Sequence, residues 1–194
     1  MTFCRESHLY VSRVLLKLPN EEEKIIEINP GEAYGTGNQP PTKLCIEALE
    51  NICKERKVDK VLDVGCGSGI LAICAVALGA NTALALDIDP VAVEEARINV
   101  EKNGFSSKIR IVHGTLNSIN DKFDLVLANL TASNILSLSE KLKSKLKSDG
   151  LLLVSGIWLT KRKEGVIHRF QELGLFLDKE LSAGEWFALL FKRS

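Results

Sequence analysis

The chain reads as an α/β protein built on a doubly wound, mostly parallel sheet of seven strands. Three observations predict this. Short apolar runs alternate with amphipathic helical stretches from residue 42 onward. The runs are nearly continuous (Val61-Leu-Asp-Val64, Leu125-Val-Leu-Ala128), as expected of strands covered on both faces. One run passes straight into a glycine-rich turn, Gly65-Cys-Gly-Ser-Gly69, which opens into the apolar helix Ile70–Leu78.

In chain order, Val11–Leu18 and Lys24–Ile28 have strand-like content around a turn at Pro19-Asn20. A loop rich in Gly, Pro and Asn covers Asn29–Pro41. Thr42–Arg56 reads as a helix with Leu44, Cys45, Ala48, Leu49 and Ile52 on one face. Strands follow at Lys60–Val64, Ala83–Asp87, Ile109–His113, Asp124–Asn129 and Leu151–Ser155. Helices between and after them are Ile70–Leu78, Val91–Asn103, Ala132–Lys147 and Lys161–Leu173. The end differs: Leu175–Glu180 and Glu185–Lys192 have no helix between them. They predict a C-terminal antiparallel hairpin that puts one reversed strand into the sheet.

Composition bounds the rest. The 194 residues, 45% hydrophobic and 26% charged, suffice for one sizeable core. We read residues 1–28 as a short N-terminal extension and 29–194 as one domain. A net charge of zero argues against a nucleic-acid partner. The alternating Lys141, Lys143, Lys145, Lys147 and the run Lys161-Arg-Lys163 read as solvated surface, because residues two apart lie on different helix faces. No apolar run reaches membrane-spanning length, and residues 1–8 lack the pattern of a secretory signal. Five cysteines form no CxxC pair, which fits reduced thiols and a cytoplasmic location. Histidines scattered at 8, 113 and 168 predict no metal site.

The glycine turn carries the functional signal. Gly65 and Gly67 permit a tight turn against which a ligand can lie on bare backbone, and Gly69 lets the next helix start close to the sheet. The following strand ends in Asp87, whose carboxylate suits the two hydroxyls of a ribose. Dinucleotide folds use G-x-G-x-x-G before a pyrophosphate, whereas the spacing here is G-x-G-x-G. Asp63, just ahead, suits a cation better than a phosphate. Together these favour S-adenosylmethionine, which carries an ammonium and a sulfonium and no phosphate. Asp89 before Pro90 reads as the cap of the next helix. His113 reads as a structural histidine, and Trp158 as a plain core or rim residue, with a wall of the pocket as the alternative.

Three stretches carry a closer resemblance: Asn29-Pro-Gly-Glu-Ala-Tyr-Gly-Thr-Gly-Asn-Gln-Pro-Pro-Thr42, Leu62–Ile73 with Leu86-Asp-Ile-Asp-Pro90, and Val126-Leu-Ala-Asn-Leu130. Through these the chain resembles the Rossmann-like class I methyltransferases, and among them the PrmA type, which methylates amines of ribosomal protein L11. The resemblance implies cofactor contacts at Thr42, Gly65, Asp87 and Asn129, and S-adenosyl-L-homocysteine as product. On the residues alone, Thr42 either caps the helix or touches the cofactor, and Asn129 holds either an amine or a strand-end turn. Asn129, Tyr34 and backbone carbonyls near Leu130 are the candidates to hold the methyl acceptor. That acceptor is expected to be a protein amine, with a small molecule on the same scaffold, or cofactor binding without turnover, as the alternatives. Two positions depart from the family pattern: Gln39 stands where it has histidine and Pro41 where it has threonine. Residues 1–28 are too few to build the separate recognition domain of that type.

Overall fold

The computed structural model describes residues 11–29, 31 and 35–193. Nine strands lie among them: β1 (Ser12–Lys17), β2 (Glu23–Ile28), β3 (Lys60–Val64), β4 (Thr82–Asp87), β5 (Ile109–His113), β6 (Phe123–Asn129), β7 (Leu146–Trp158), β8 (Leu175–Ala183) and β9 (Trp186–Arg193). The α-helices are α1 (Pro40–Glu55), α2 (Ile70–Ala77), α3 (Pro90–Lys102), α4 (Ala132–Ser144) and α5 (Thr160–Glu172). Seven strands form the predicted sheet in the order β5-β4-β3-β6-β7-β9-β8. All its pairings are parallel except those of β9, which runs antiparallel to both β7 and β8.

Strand parity divides the core into two layers. Val61, Ala83, Ala85, Leu125, Leu127, Leu151 and Leu153 face α1, α2 and α3. Leu62, Leu84, Leu86, Val126, Ala128, Leu152 and Val154 face α4 and α5. β3, β4, β6 and β7 are covered on both faces, so their near-continuous apolar character follows from position. Phe170 of α5 and Phe191 of β9 are both fully buried on the second face, with ring centroids 4.9 Å apart.

β1 and β2 form a two-stranded hairpin that buries Leu16, Ile26 and Ile28 in the first layer. Asn99 of α3 and Asn103 at its C-cap fasten it. Asn103 accepts from the Glu27 amide at 3.1 Å and donates to the Glu27 carbonyl at 2.8 Å. Asn99, which is buried, accepts from the Asn29 amide at 2.9 Å and donates to the Ser68 carbonyl at 3.0 Å.

Several boundaries differ from the sequence reading. α1 starts at Pro40, where a missing N–H costs no helical hydrogen bond. α4 stops at Ser144 instead of reaching Lys147, because Leu146 opens β7 opposite Phe123. The lysine run is more than solvated surface at that point. Lys122 donates to the Ser144 carbonyl, Lys145 to the Ile119 carbonyl, and Arg193 to the Lys143 and Leu146 carbonyls. Lys122 and Arg193 thereby place cations at the negative end of α4, while Lys145 reaches the end of the short turn Leu116–Ser118. β7 runs beyond Ser155 to Trp158 through an irregularity at Gly156. Among the described residues the cysteines are free thiols, and burial pushes Cys45 up to about 12, so its thiol stays neutral.

Phe170→Ala is expected to lower stability by about 3–5 kcal/mol, since it removes a fully buried ring from an aromatic pair. Urea unfolding of the two proteins measures the difference.

Candidate active site

A cavity of about 770 Å³ opens beyond the carboxyl ends of β3, β4 and β6. It lies where the strand order reverses, since the chain builds outward from β3 through β4 to β5 and then returns to place β6 on the other side of β3. The size is that of a site for a nucleoside-sized ligand. Asp87 and Asp89 line it, and no lysine, arginine or histidine is among the described lining residues. The remainder is largely apolar or hydroxyl-bearing. Such a lining suits a cationic ligand with hydroxyls and apolar faces, and offers no counter-charge to a phosphate.

The glycine turn forms the floor. Gly65, Gly67 and Gly69 all adopt positive φ, at 70°, 52° and 81°. The amides of Gly65 and Cys66 donate to the Leu86 carbonyl at 2.9 and 3.1 Å, which ties the turn to β4. Asp87 is fixed from two sides: Gly67 N–H donates to Oδ2 at 3.0 Å and Asp89 N–H to Oδ1 at 3.1 Å. Asp89 caps α3 by accepting from Val91 N–H at 2.9 Å, as read from the sequence. For Gly69 the close neighbour is not the sheet: a Cβ there would stand 3.2 Å from that of Ala96, so the glycine brings α2 up to α3.

Asp63 lies beneath the turn and is not among the cavity-lining residues. It shares strand parity with Val61 and so faces α1 and α2, almost fully buried. Its Oδ2 accepts from Ala72 N–H at 3.1 Å, which secures the first turn of α2. Burial pushes this carboxyl up to about 7; the Ala72 amide lowers it in part, and the Asp87 carboxylate raises it further.

Asn129 ends β6 at the cavity wall. Its Nδ2 donates to Thr42 Oγ1 at 3.2 Å, while its buried Oδ1 has no partner among the described residues. Thr42 is fully buried in the first turn of α1, and Gln39 occupies the cap position. The cap alternative for Thr42 is therefore set aside: its hydroxyl orients Asn129, and it is not among the lining residues. Next to Asn129, the Leu130 carbonyl is approached by Gly156, whose φ is +86°. A Cβ there would lie 2.3 Å from that oxygen and 3.2 Å from Asn129 Oδ1. Only glycine leaves both acceptors uncovered.

Tyr34 lies outside the described residues. His113 donates from Nε2 to the Ile88 carbonyl at 3.0 Å, a structural role at the β4–β5 edge. Ile88, Thr115 and Leu116 also line the cavity and escaped the sequence reading. Ile88 is 71% exposed, and its signal was an apolar residue between two aspartates. Thr115 and Leu116 had none, since only the β4–β5 pairing brings them to the site. Trp186 lines the cavity from β9.

Fold and cavity are those of the class I methyltransferases. Mitomycin 7-O-methyltransferase MmcR shares the fold with a TM-score of 0.60 at 18% identity, over 71% of this chain and 49% of that one. A ribosomal protein L11 methylase from Lactobacillus delbrueckii subsp. bulgaricus has a TM-score of 0.79 at 34% identity, over 87% of this chain and 84% of that one. The chain belongs to the PrmA family, whose model, described as ribosomal protein L11 methyltransferase, matches residues 6–194. Curated relatives of that name from Geobacter sulfurreducens and an Exiguobacterium species are each 42% identical over 90% of this chain. The chain spans only 56% and 55% of their respective lengths.

Asp63 makes a pH prediction. Its folded-state pKa lies above the unfolded value of 3.8, at about 7. Between those values the folded protein holds a proton the unfolded chain has released, so stability falls as pH rises from about 4 to about 7 and levels off above. Asp63→Asn is expected to remove that slope, a difference on the order of 3 kcal/mol at pH 8 relative to pH 4. Parallel urea titrations of the ligand-free proteins across this range measure it.

Proposed function

We propose that the chain transfers a methyl group from S-adenosyl-L-methionine to an amine of a protein. The observation that carries this reading is the unpartnered, buried Oδ1 of Asn129 beside the uncovered Leu130 carbonyl. Two acceptors held side by side call for a ligand with two N–H donors, which an amine has and a hydroxyl lacks. Membership of the PrmA family and relatives named for a ribosomal protein support a protein acceptor.

The residues present fit the cofactor. Asp87 accepts the ribose hydroxyls, and the bare backbone at Gly65 and Gly67 admits the ligand closely. The acidic lining, with no basic side chain among the described lining residues, suits the cofactor's ammonium and sulfonium. Asp63 acts on the same region from below by holding α2, and its carboxylate form is favoured by a nearby cation. Thr42 acts through Asn129.

When bound, the cofactor supplies an already activated methyl group, so the protein contributes alignment and a dry site. A lysine amine, with a pKa of about 10.4 in water, must reach the site neutral. The apolar walls disfavour its charged form, and the two acceptors take its N–H groups and aim the lone pair. No dedicated base is needed if the proton leaves to water before the amine enters.

Incubation with S-adenosylmethionine labelled in the methyl group and a ribosomal protein extract is expected to label a protein band. Label confined to small molecules would replace the acceptor class; no transfer to any fraction would refute the reading. Asn129→Ala is expected to lower turnover by about 10- to 100-fold. Asp87→Ala is expected to weaken S-adenosylhomocysteine binding by about 10- to 100-fold in calorimetry, from loss of charge-assisted hydrogen bonds.

A further inference from the structure

We propose that Trp158 determines acceptor specificity: with Trp186 it forms an aromatic rim that selects an amine on a long stem joined to a peptide backbone. This rests on the amine site assigned to Asn129. The two indoles face each other across the antiparallel β7–β9 pair, at directly opposed positions. Their ring centroids are 6.5 Å apart, tilted by 34°. Trp186 lines the cavity; Trp158, 44% exposed, is not among the lining residues and adjoins the site through its contact with Trp186. A large indole left this exposed beside a cavity-lining partner fits a contact made on binding.

The placement sets a length. Ser155 pairs with Asn129, and Trp158 stands three residues further along β7. Gly156 bulges out of the pairing and β9 covers the same span, Ala188 to Trp186, in two residues, so at about 3.3 Å per residue the rim lies roughly 7 Å beyond the amine acceptors. A four-carbon amine stem spans most of that distance and leaves its backbone resting on the indoles. A compact amine reaches Asn129 without touching them.

The backbone next to the rim is held in an unusual state. Leu159 has φ of 76°, one of two non-glycine residues with positive φ among those described. Its amide donates to the Glu185 carbonyl at 3.0 Å, and its own carbonyl accepts from Arg162 and Lys163 at the start of α5. Such a conformation is strained for a non-glycine residue and persists only where the surroundings enforce it. Here it turns the chain sharply after Trp158, so the indole stays on β7 opposite Trp186 while α5 turns away.

The sequence contains two tryptophans, and both are in this pair, so the protein's tryptophan emission reports the rim alone. With S-adenosylhomocysteine present, titration with Nα-acetyl-lysine amide is expected to give a saturable emission change, and methylamine none. Trp158→Ala is expected to weaken the lysine derivative's apparent affinity about tenfold, and Trp158→Phe to restore most of it, with S-adenosylhomocysteine binding retained in both. In turnover with the same acceptor, KM is expected to rise about tenfold in Trp158→Ala while kcat holds. No emission change in the wild type, an equal change with methylamine, or unchanged affinity in Trp158→Ala overturns the proposal. An emission change without methyl transfer keeps the rim and refutes the transfer reading. Transfer that is indifferent to Trp158 does the reverse.

Discussion

The parallel pairing of β3 with β6 is the constraint from which the site follows. Val61, Leu62 and Asp63 pair in register with Leu125, Val126 and Leu127. The two strands therefore end side by side, although some sixty residues separate them in sequence. One end delivers the glycine turn and the other delivers Asn129. Neither strand has an edge exposed, so both turns are held by a core packed from two sides. Gly156 completes the corner from β7, the next strand over. A ligand at this corner meets backbone, one carboxylate and one amide, each fixed before it arrives.

Little covalent chemistry is asked of such a corner. Its lining combines two carboxylates with apolar and hydroxyl-bearing walls, and among the described residues one buried acceptor there, Asn129 Oδ1, has no partner. That inventory matches a reaction whose electrophile comes preactivated and whose nucleophile must lose its charge to react. The buried Asp63 sits behind it with a carboxyl poised near neutrality, held there by burial and by the Asp87 carboxylate. Its structural role, gripping the Ala72 amide, makes α2 and the glycine turn one unit.

Most of the fold was legible because both-face burial writes itself as continuous apolar strands, and glycine spacing marks the turn. Asp87, Asp89 and the glycines were readable from type and spacing alone. Other features needed the topology. Parity with Val61 would have placed Asp63 on the face that packs α1 and α2, but the nearby glycines suggested a ligand contact. The end of α4 was obscured because Leu146 suits a helix face as well as a strand start. Thr42, read as an N-cap or a ligand contact, is tied to Asn129, eighty-seven residues away. Asn99 sits mid-helix, where propensity gives no hint of its two long-range partners.

Asn99 has a mechanical consequence. Its amide joins the backbone just after β2 to the Ser68 carbonyl inside the glycine turn, so a single rigid side chain couples the hairpin to the floor of the site. A tug on β2 is transmitted to that turn through two short hydrogen bonds, without passing through the sheet. Any module attached on the hairpin side would act on the cavity as a lever acts on its fulcrum.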